Sequence, residues 1–369
     1  MLDFDEFLRR IPKAELHCHL VGAVPAATAW DVARRNDVAL PASGPDSLYR
    51  FTNFDQFIAG YMTVARVFRT RRDFAEAAYV TLSEGFANGN VRYREMFFNP
   101  TDHFPGGATY QVMLDGLIDG ITAAEQDFGV RCLLVPSINR MVSSATAEQL
   151  VEDIVRLRRD EVVGIGLDGP EPSGPPERFE SAFRLAKQAG LRRTAHAGED
   201  YATLDGGPPS NVVTCLDRLD CDRIDHGYNM LADAAVVRRC QAAGVPITCC
   251  LPGSNPTLRP ARVASIRAML DLGLRVSLHS DDPAMHGADP GEVYVGAAAA
   301  LGLGVEDAIQ LCLTAVDSAW IDDAERVTLR RSFTTEIERL RAQLRPAATA
   351  TSVPAAGAGP YWTDDGEAQ

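Results

Sequence analysis

The sequence predicts an α/β chain closed into a (β/α)8 TIM barrel, with extra helices after the first strand forming a lid and a helical C-terminal extension. Three observations carry this expectation. Eight short β-branched or apolar runs recur between Lys13 and Ser280, and from Val91 onward helical patterns separate them. Four of the runs end in His or Asp, within ELHCHL (15–20), TAHAGED (194–200), RIDHG (223–227) and VSLHSDDP (276–283). In a barrel of parallel strands, polar groups at the carboxyl ends of several strands gather round one mouth. No GxGxxG or GxxxxGK pattern opens a helix, which weakens an open, nucleotide-binding sheet.

The elements follow in order. After a short N-terminal helix, Pro12 precedes a first strand of seven residues ending in His17, Cys18 and His19. Alternation along a strand puts the two imidazoles on one face. Residues 25–90 have helical patterns at 26–35, 54–68 and 73–87, broken by a Pro/Gly/Ser stretch at 41–46. This exceeds what one crossover needs, so the surplus is read as a lid over the carboxyl end of the barrel. Seven further strands are predicted at 91–98, 131–137, 162–168, 191–197, 222–227, 246–251 and 274–280, with intervening helices at 145–158, 176–189, 233–243 and 260–272. Helices near 291–301, 305–318 and 322–344 complete a single domain over residues 1–345. The tail, 346–369, is rich in Ala, Pro, Thr and Gly and is expected to be disordered.

Composition narrows the function classes. A hydrophobic content of 46% over 369 residues supplies a sizeable core, and a net charge of −14 argues against a nucleic-acid or anionic-membrane partner. The eight cysteines lie in apolar patterns without any CxxC, which suits free thiols in a reducing cytoplasm. MLDFDEFLRR lacks the basic and apolar regions of a signal peptide, and no stretch is long and apolar enough to span a bilayer.

The chemistry sits in the strand-end clusters. Zinc takes a few nitrogen and oxygen ligands and, in catalytic sites, keeps one position open. His17 and His19 from the first strand, His196 from the fifth and Asp281 from the eighth can supply such a set for one zinc per chain. Glu199 follows His196 by three residues across a glycine turn, placing a carboxylate beside the ligand. His103 and His286 lack this setting and are read as ordinary surface or supporting residues.

The set HxH, HAGE, DHG and SDDP, in this order from Lys13 to about Arg345, closely resembles the adenosine deaminase family of the amidohydrolase superfamily. The resemblance implies a one-zinc barrel that hydrolytically removes the 6-amino group of a purine, a small-molecule substrate. It implies His17, His19, His196 and Asp281 as ligands, Glu199 as proton donor and His226 as the residue that activates the attacking water. It also implies that Asp282 and the backbone of Gly169, in GLDGPE, contact the purine. The residue types suit this. Attack at C6 needs N1 protonated as it proceeds, which calls for a protonated carboxyl at Glu199, and an imidazole near the water can take its proton. Asp282 can bond to N7 only if one partner carries a proton; its alternative reading is a helix N-cap ahead of Pro283.

Three rivals are weighed. A two-metal amidohydrolase usually needs a carbamylated lysine at a strand end, but the only lysines are Lys13, at the start of the first strand, and Lys187, within a helix pattern. A binding barrel without turnover is expected to lack Glu199 or His226, and both are present. A cytidine-type deaminase needs HxE and PCxxC, which are absent. Within the family, an adenosine-like nucleoside is the first reading and adenine or a substituted adenine compound the alternative. Asp168 is typical of adenine-deaminating relatives, Gly169 of adenosine-deaminating ones. His279 and Ser280 stand where adenosine deaminases usually have Asn and Thr. Val21 replaces the carboxylate of HxHLDG and HxHIEG, which in the adenosine branch is expected to hold the ribose 5′-hydroxyl. Adenosine is therefore expected to be a mediocre substrate, and the natural purine to have a less polar or differently substituted far end.

Overall fold

The computed structural model describes residues 1–199, 206–251 and 259–345. The strands are β1 (Lys13–His19), β2 (Val91–Phe98), β3 (Arg131–Asn139), β4 (Gly164–Asp168), β5 (Arg192–Ala197), β6 (Arg223–His226), β7 (Pro246–Cys250) and β8 (Arg275–His279). They pair in parallel in sequence order. The predicted fourth strand starts two residues late, because Val162 makes only an isolated bridge to Leu134. Registers such as Asn139 with Asp168, Ala197 with His226 and Cys250 with His279 bring the carboxyl ends to one rim. Just past β8, Asp281 bridges to Cys18: the His19 amide donates to the Asp281 carbonyl (2.9 Å) and the Asp281 amide to the His17 carbonyl (3.2 Å). Backbone bonds therefore fix the spacing of three predicted ligands.

The insertion after β1 contains helices Ala26–Arg35, Pro45–Leu48, Phe54–Ala65 and Arg71–Gly89. Asn53 caps the third through the Gln56 amide, and Thr70 with Asp73 forms a capping box on the fourth. Only part of this insertion is a lid. Arg71–Gly89 is the crossover helix into β2 and packs along Tyr110–Phe128 in the outer layer. Gly120 permits that approach, since a Cβ there would stand 2.2 Å from the Ala75 carbonyl oxygen. At the other end, helices Pro290–Leu301, Val305–Asp317 and Asp323–Arg341 complete the outer layer, and Leu2 exchanges backbone bonds with Gln343 (2.7 Å) and Arg345 (2.9 Å). The tail at 346–369 lies outside the described residues.

The interior is one apolar cluster with a buried polar group set into it. Arg223 donates to Glu95 (2.6 Å), Tyr93 donates to the same carboxylate (2.8 Å), and the guanidinium lies 4.0 Å from the Trp320 ring. Such a charge is tolerable in the core only because it is paired. Lys13 is buried at the amino end of β1, where its Nζ stands within hydrogen-bonding reach of the carbonyls of Leu8, Arg9, Ile11 and Gly89; burial lowers it to about 7. Lys187 sits in helix Glu180–Gln188 and pairs with Asp220 at 2.7 Å. Neither lysine is at the barrel mouth. All eight cysteines are free and buried. No helix among the described residues is long and apolar enough to cross a membrane.

Candidate metal centre and active site

Four donor groups converge where β1, β5 and β8 end. His17 Nε2 and His19 Nε2 lie 3.2 Å and 3.4 Å from Asp281 Oδ1, and His19 Nε2 lies 3.3 Å from His196 Nε2. Ligands about 2.0–2.1 Å from a tetrahedral zinc stand about 3.3–3.4 Å apart, so the spacing is that of a coordination shell. One donor atom from each of His17, His196, His226 and Asp281 lies within 4.8 Å of the others, which brings His226 beside the same point.

The protons leave the same place for a cation. Thr248 donates its hydroxyl proton to Asp225 (2.7 Å), so toward His17 Nδ1, 3.0 Å away, it acts as acceptor. His17 therefore carries its proton on Nδ1, and its Nε2 lone pair faces a carboxylate oxygen. Two electron-rich atoms at 3.2 Å repel unless a positive charge stands between them. Burial lowers His17 and His19, which favours neutral, ligating imidazoles. His196 differs: burial works against its charge, but Asp225, whose Oδ2 is 3.5 Å from Nδ1, outweighs it and raises the group to about 9. A site that attracts a proton this strongly suits a metal cation at Nε2 equally well. Asp225, which also accepts from Thr194 (2.8 Å), thus orients two of the imidazoles from behind.

Backbone strain marks two of these positions. His226 has φ +70° and Asp281 φ +64°, in the left-handed region that bulky residues avoid at a cost of about 1–3 kcal/mol. At these strand ends the left-handed turn aims both side chains at the mouth. His279 has a different role. Its Nδ1 accepts from the Leu16 amide (3.1 Å), its Nε2 faces Ser277 Oγ (2.8 Å), and burial lowers it to about 3, so it is a neutral brace between β8 and β1.

Glu199 is placed by a turn that the sequence reading did not explain. Glu171, buried in the segment after β4, accepts from the amides of Gly198 (2.9 Å) and Glu199 (3.0 Å) and from Asn211 (2.7 Å). Gly198 supplies the φ of +64° that this turn requires. The Glu199 carboxylate lies 3.4 Å from His226 Nε2 and accepts from Arg262 at 3.0 Å. Arg262 also donates to Tyr228 (2.8 Å), and its guanidinium is 4.3 Å from that ring. Burial alone would raise Glu199, but His226, Arg262 and His196 together hold it below the ordinary range. These charges act against the protonated carboxyl expected at this position. No strand-end motif contains Arg262, so nothing local could have singled it out.

Asp282 faces the same cavity. Its Oδ1 is buried without a hydrogen bond, and its side chain does not cap helix Pro283–His286. Burial, then the charge of Asp281, pushes it well above the usual carboxylate range, the direction that favours a proton available for donation. Gly22 makes room, because a Cβ there would stand 1.7 Å from Asp282 Oδ1. Gly169, with φ +87°, lines the cavity together with Asp168, which accepts from Asn99 at 2.6 Å. Asp102 was also missed. It accepts from Asn139 (2.9 Å) and is raised to about 7 by burial and by Asp168.

The cavity has a volume of about 330 Å³, and His19, His196, Glu199, His226, Asp281 and Asp282 are all in its wall. Val21 is not. It lies in a short helical turn, Leu20–Ala23, and is buried in the hydrophobic core. The placement of Val21 at the substrate is corrected: an apolar side chain at this turn packs inward, and Gly22 is the residue that meets the site. His103 is buried against the Ala65 carbonyl (2.6 Å), not at the surface, whereas His286 lines the cavity and lies 5.3 Å from the Phe57 ring.

Comparison with known proteins gives a consistent result. The sequence profile described as Adenosine deaminase matches residues 12–336. An adenine deaminase of Streptomyces coelicolor is 36% identical over 340 residues, spanning 90% of this chain and 97% of its own length. Among solved structures, an amidohydrolase from Burkholderia ambifaria with bound zinc superposes with a TM-score of 0.84 at 31% identity, covering 93% of this chain and 95% of its own. The adenine deaminase of Arthrobacter aurescens gives a TM-score of 0.81 at 31% identity, with 89% and 99% covered.

Proposed function

Since the chain belongs to the adenosine deaminase family, we propose that it hydrolyses the 6-amino group from a purine with one zinc ion and prefers free adenine to adenosine. The observation that carries the reading is the set of donor separations, 3.2 Å and 3.4 Å from His17 and His19 to Asp281 and 3.3 Å between His19 and His196, beside a cavity that also holds Glu199, His226 and Asp282. Adenine replaces the adenosine-like nucleoside as the first choice because relatives of 31–36% identity to this chain carry the name adenine deaminase.

The roles follow from the geometry. A zinc ion held by His17, His19, His196 and Asp281 would make a bound water acidic enough to attack near neutral pH. His226 takes the proton of the attacking water, and Glu199, 3.4 Å away, passes a proton to N1 as C6 becomes tetrahedral. The proton that His226 takes from the water then goes to the departing amino group, and the hydroxyl proton left on C6 returns to Glu199 as the 6-oxo group forms. Asp282 donates to the lone pair of N7, and the backbone of Gly169 contacts the opposite edge of the base. Ammonia leaves and a 6-oxopurine remains.

Steady-state ammonia release tests the substrate. Adenine is expected to exceed adenosine in kcat/KM by about tenfold or more, the scale of a few unpaired hydroxyls in an unsuitable pocket. A higher value for adenosine would reverse the assignment.

Arg262 adds a second prediction. As a donor to Glu199 and to the Tyr228 hydroxyl beside His226, it fixes the carboxylate's position without touching the reacting atoms. Arg262→Met is expected to lower kcat about tenfold or more with a smaller change in KM and normal metal content, and Arg262→Lys to recover part of the loss. An unaltered kcat in Arg262→Met would remove it from this role.

A further inference from the structure

Four polar side chains, Asn99, Asp102, Asn139 and Asp168, are buried side by side in the cavity wall where β2, β3 and β4 end. Most of their hydrogen-bonding capacity is used within the group. Asn99 donates to Asp168 Oδ1 (2.6 Å) and accepts from the Tyr61 hydroxyl (3.3 Å). Asn139 donates to Asp102 Oδ1 (2.9 Å) and accepts from the Met141 amide (2.9 Å). Two carboxyl oxygens are left without a hydrogen bond among the described residues. One of them, Asp168 Oδ2, stands 3.7 Å from His19 Nδ1, behind a predicted ligand imidazole. The other belongs to Asp102, whose bonds from Asn139 and from Thr101 (3.4 Å) both end on Oδ1, so that Oδ2 is uncommitted in a residue that lines the cavity.

A carboxyl is unfavourable at this place. Burial, then the charge of Asp168, raises Asp102 to about 7 against the opposing influence of Asn139, Thr101 and Arg66. Holding Asn139 needs one acceptor, which a neutral amide offers equally well. The second oxygen, with its desolvation cost, is not accounted for by the fold.

The order of the strands says which part of a purine meets it. In the reading above, Glu199 beyond β5 serves N1, Asp282 beyond β8 serves N7, and Gly169 beyond β4 contacts the edge opposite N7. Round the perimeter of the base, N9 lies between N3 and N7. Round the barrel, the strands from β4 to β8 on that side are β3, β2 and β1. N9 is therefore turned to the sector where Asp102 follows β2, in the short helix Pro100–His103, and Asn139 ends β3. In a free base N9 carries a hydrogen to donate. In a nucleoside the same nitrogen carries the sugar.

We propose that Asp102 selects the free 6-aminopurine base by accepting a hydrogen bond from N9–H; the proposal rests on the deaminase reading and names the residue behind its substrate preference. A donor arriving from the ligand favours the ionised carboxylate. A substituent on N9 removes that donor and leaves a buried acceptor unpaired, the situation in which a polar site discriminates most strongly.

Ammonia release from adenine and from 9-methyladenine, in which a methyl group replaces that one hydrogen, tests it. Adenine is expected to exceed 9-methyladenine in kcat/KM by about tenfold or more, the scale of a hydrogen bond to a charged group. Asp102→Asn keeps an oxygen for Asn139 and turns the free position into a donor, so the ratio is expected to fall at least about tenfold; Asp102→Ala gives the same comparison should the amide variant not fold. A ratio near one in the parent protein, or the parent ratio retained in either variant, overturns the proposal and leaves the deaminase reading standing. Calorimetric binding of both compounds to Glu199→Gln and to Glu199→Gln/Asp102→Asn separates the two. A preference for adenine that is lost with Asp102 supports the proposal even if neither compound is turned over, which would sink the deaminase reading alone; equal binding of the two compounds to Glu199→Gln overturns it.

Discussion

Asp281→Ala is expected to lose both the metal and the activity. In the intact protein, purification should give about one zinc per chain, because one set of donors has the separations of a single coordination shell. Asp281 is the only anionic member of that set, and removing it takes away one of four donors together with the charge that offsets the dication in a small buried space. The expected outcome is a metal content near zero and turnover reduced by about three orders of magnitude or more, since without the ion nothing makes water nucleophilic at neutral pH. His17→Ala should behave in the same way. Asp281→Asn is the control for the backbone, because asparagine tolerates the φ of +64° about as well as aspartate and so isolates the loss of charge. A full equivalent of zinc retained in Asp281→Ala would remove Asp281 from the ligand set, and two equivalents in the parent protein would end the one-metal reading.

Glu199→Gln is expected to separate binding from chemistry. The amide oxygen can still accept from Arg262, which stands 3.0 Å away, so the turn held by Glu171 and the shape of the cavity should survive. What disappears is a group able to gain and release a proton beside His226. Zinc content and purine affinity should remain close to those of the parent, while kcat falls by about 10²-fold or more, the usual scale for a positioned acid or base. A variant with more than a tenth of the parent rate would show that N1 receives its proton elsewhere.

These two outcomes concern residues that local sequence made visible. HxH on a strand places two imidazoles on one face whatever the rest of the chain does, since side chains alternate with a period of two. The glycine of HAGE marks a sharp turn that returns a carboxylate toward the preceding histidine, and DHG and SDDP end strands of the same length class. Repeated strand and helix alternation, with no glycine fingerprint opening a helix, was enough to anticipate the barrel. The charges that act on the Glu199 proton were not legible locally. His226 and Arg262, which lower the group, stand 27 and 63 residues further along the chain and are brought to it only by folding.

The sequence by itself determined which residues stand at strand ends, because that is a matter of short-range periodicity and turn chemistry. Only the tertiary structure decided which of them meet. Parallel registers and the bridge between Cys18 and Asp281 set the donor separations at 3.2–3.4 Å, and left-handed backbone at His226 and Asp281 aims those side chains inward. Asp225 behind the imidazoles and Glu171 beneath the Glu199 turn belong to segments far apart in the chain. Val21 shows the same limit from the other side. Its neighbourhood to the HCH ligands is covalent, but a one-residue step around a helical turn sends its side chain into the core and leaves Gly22 against Asp282. Proximity along the chain fixes the backbone position, whereas the direction of a side chain is set by what the packed structure leaves room for.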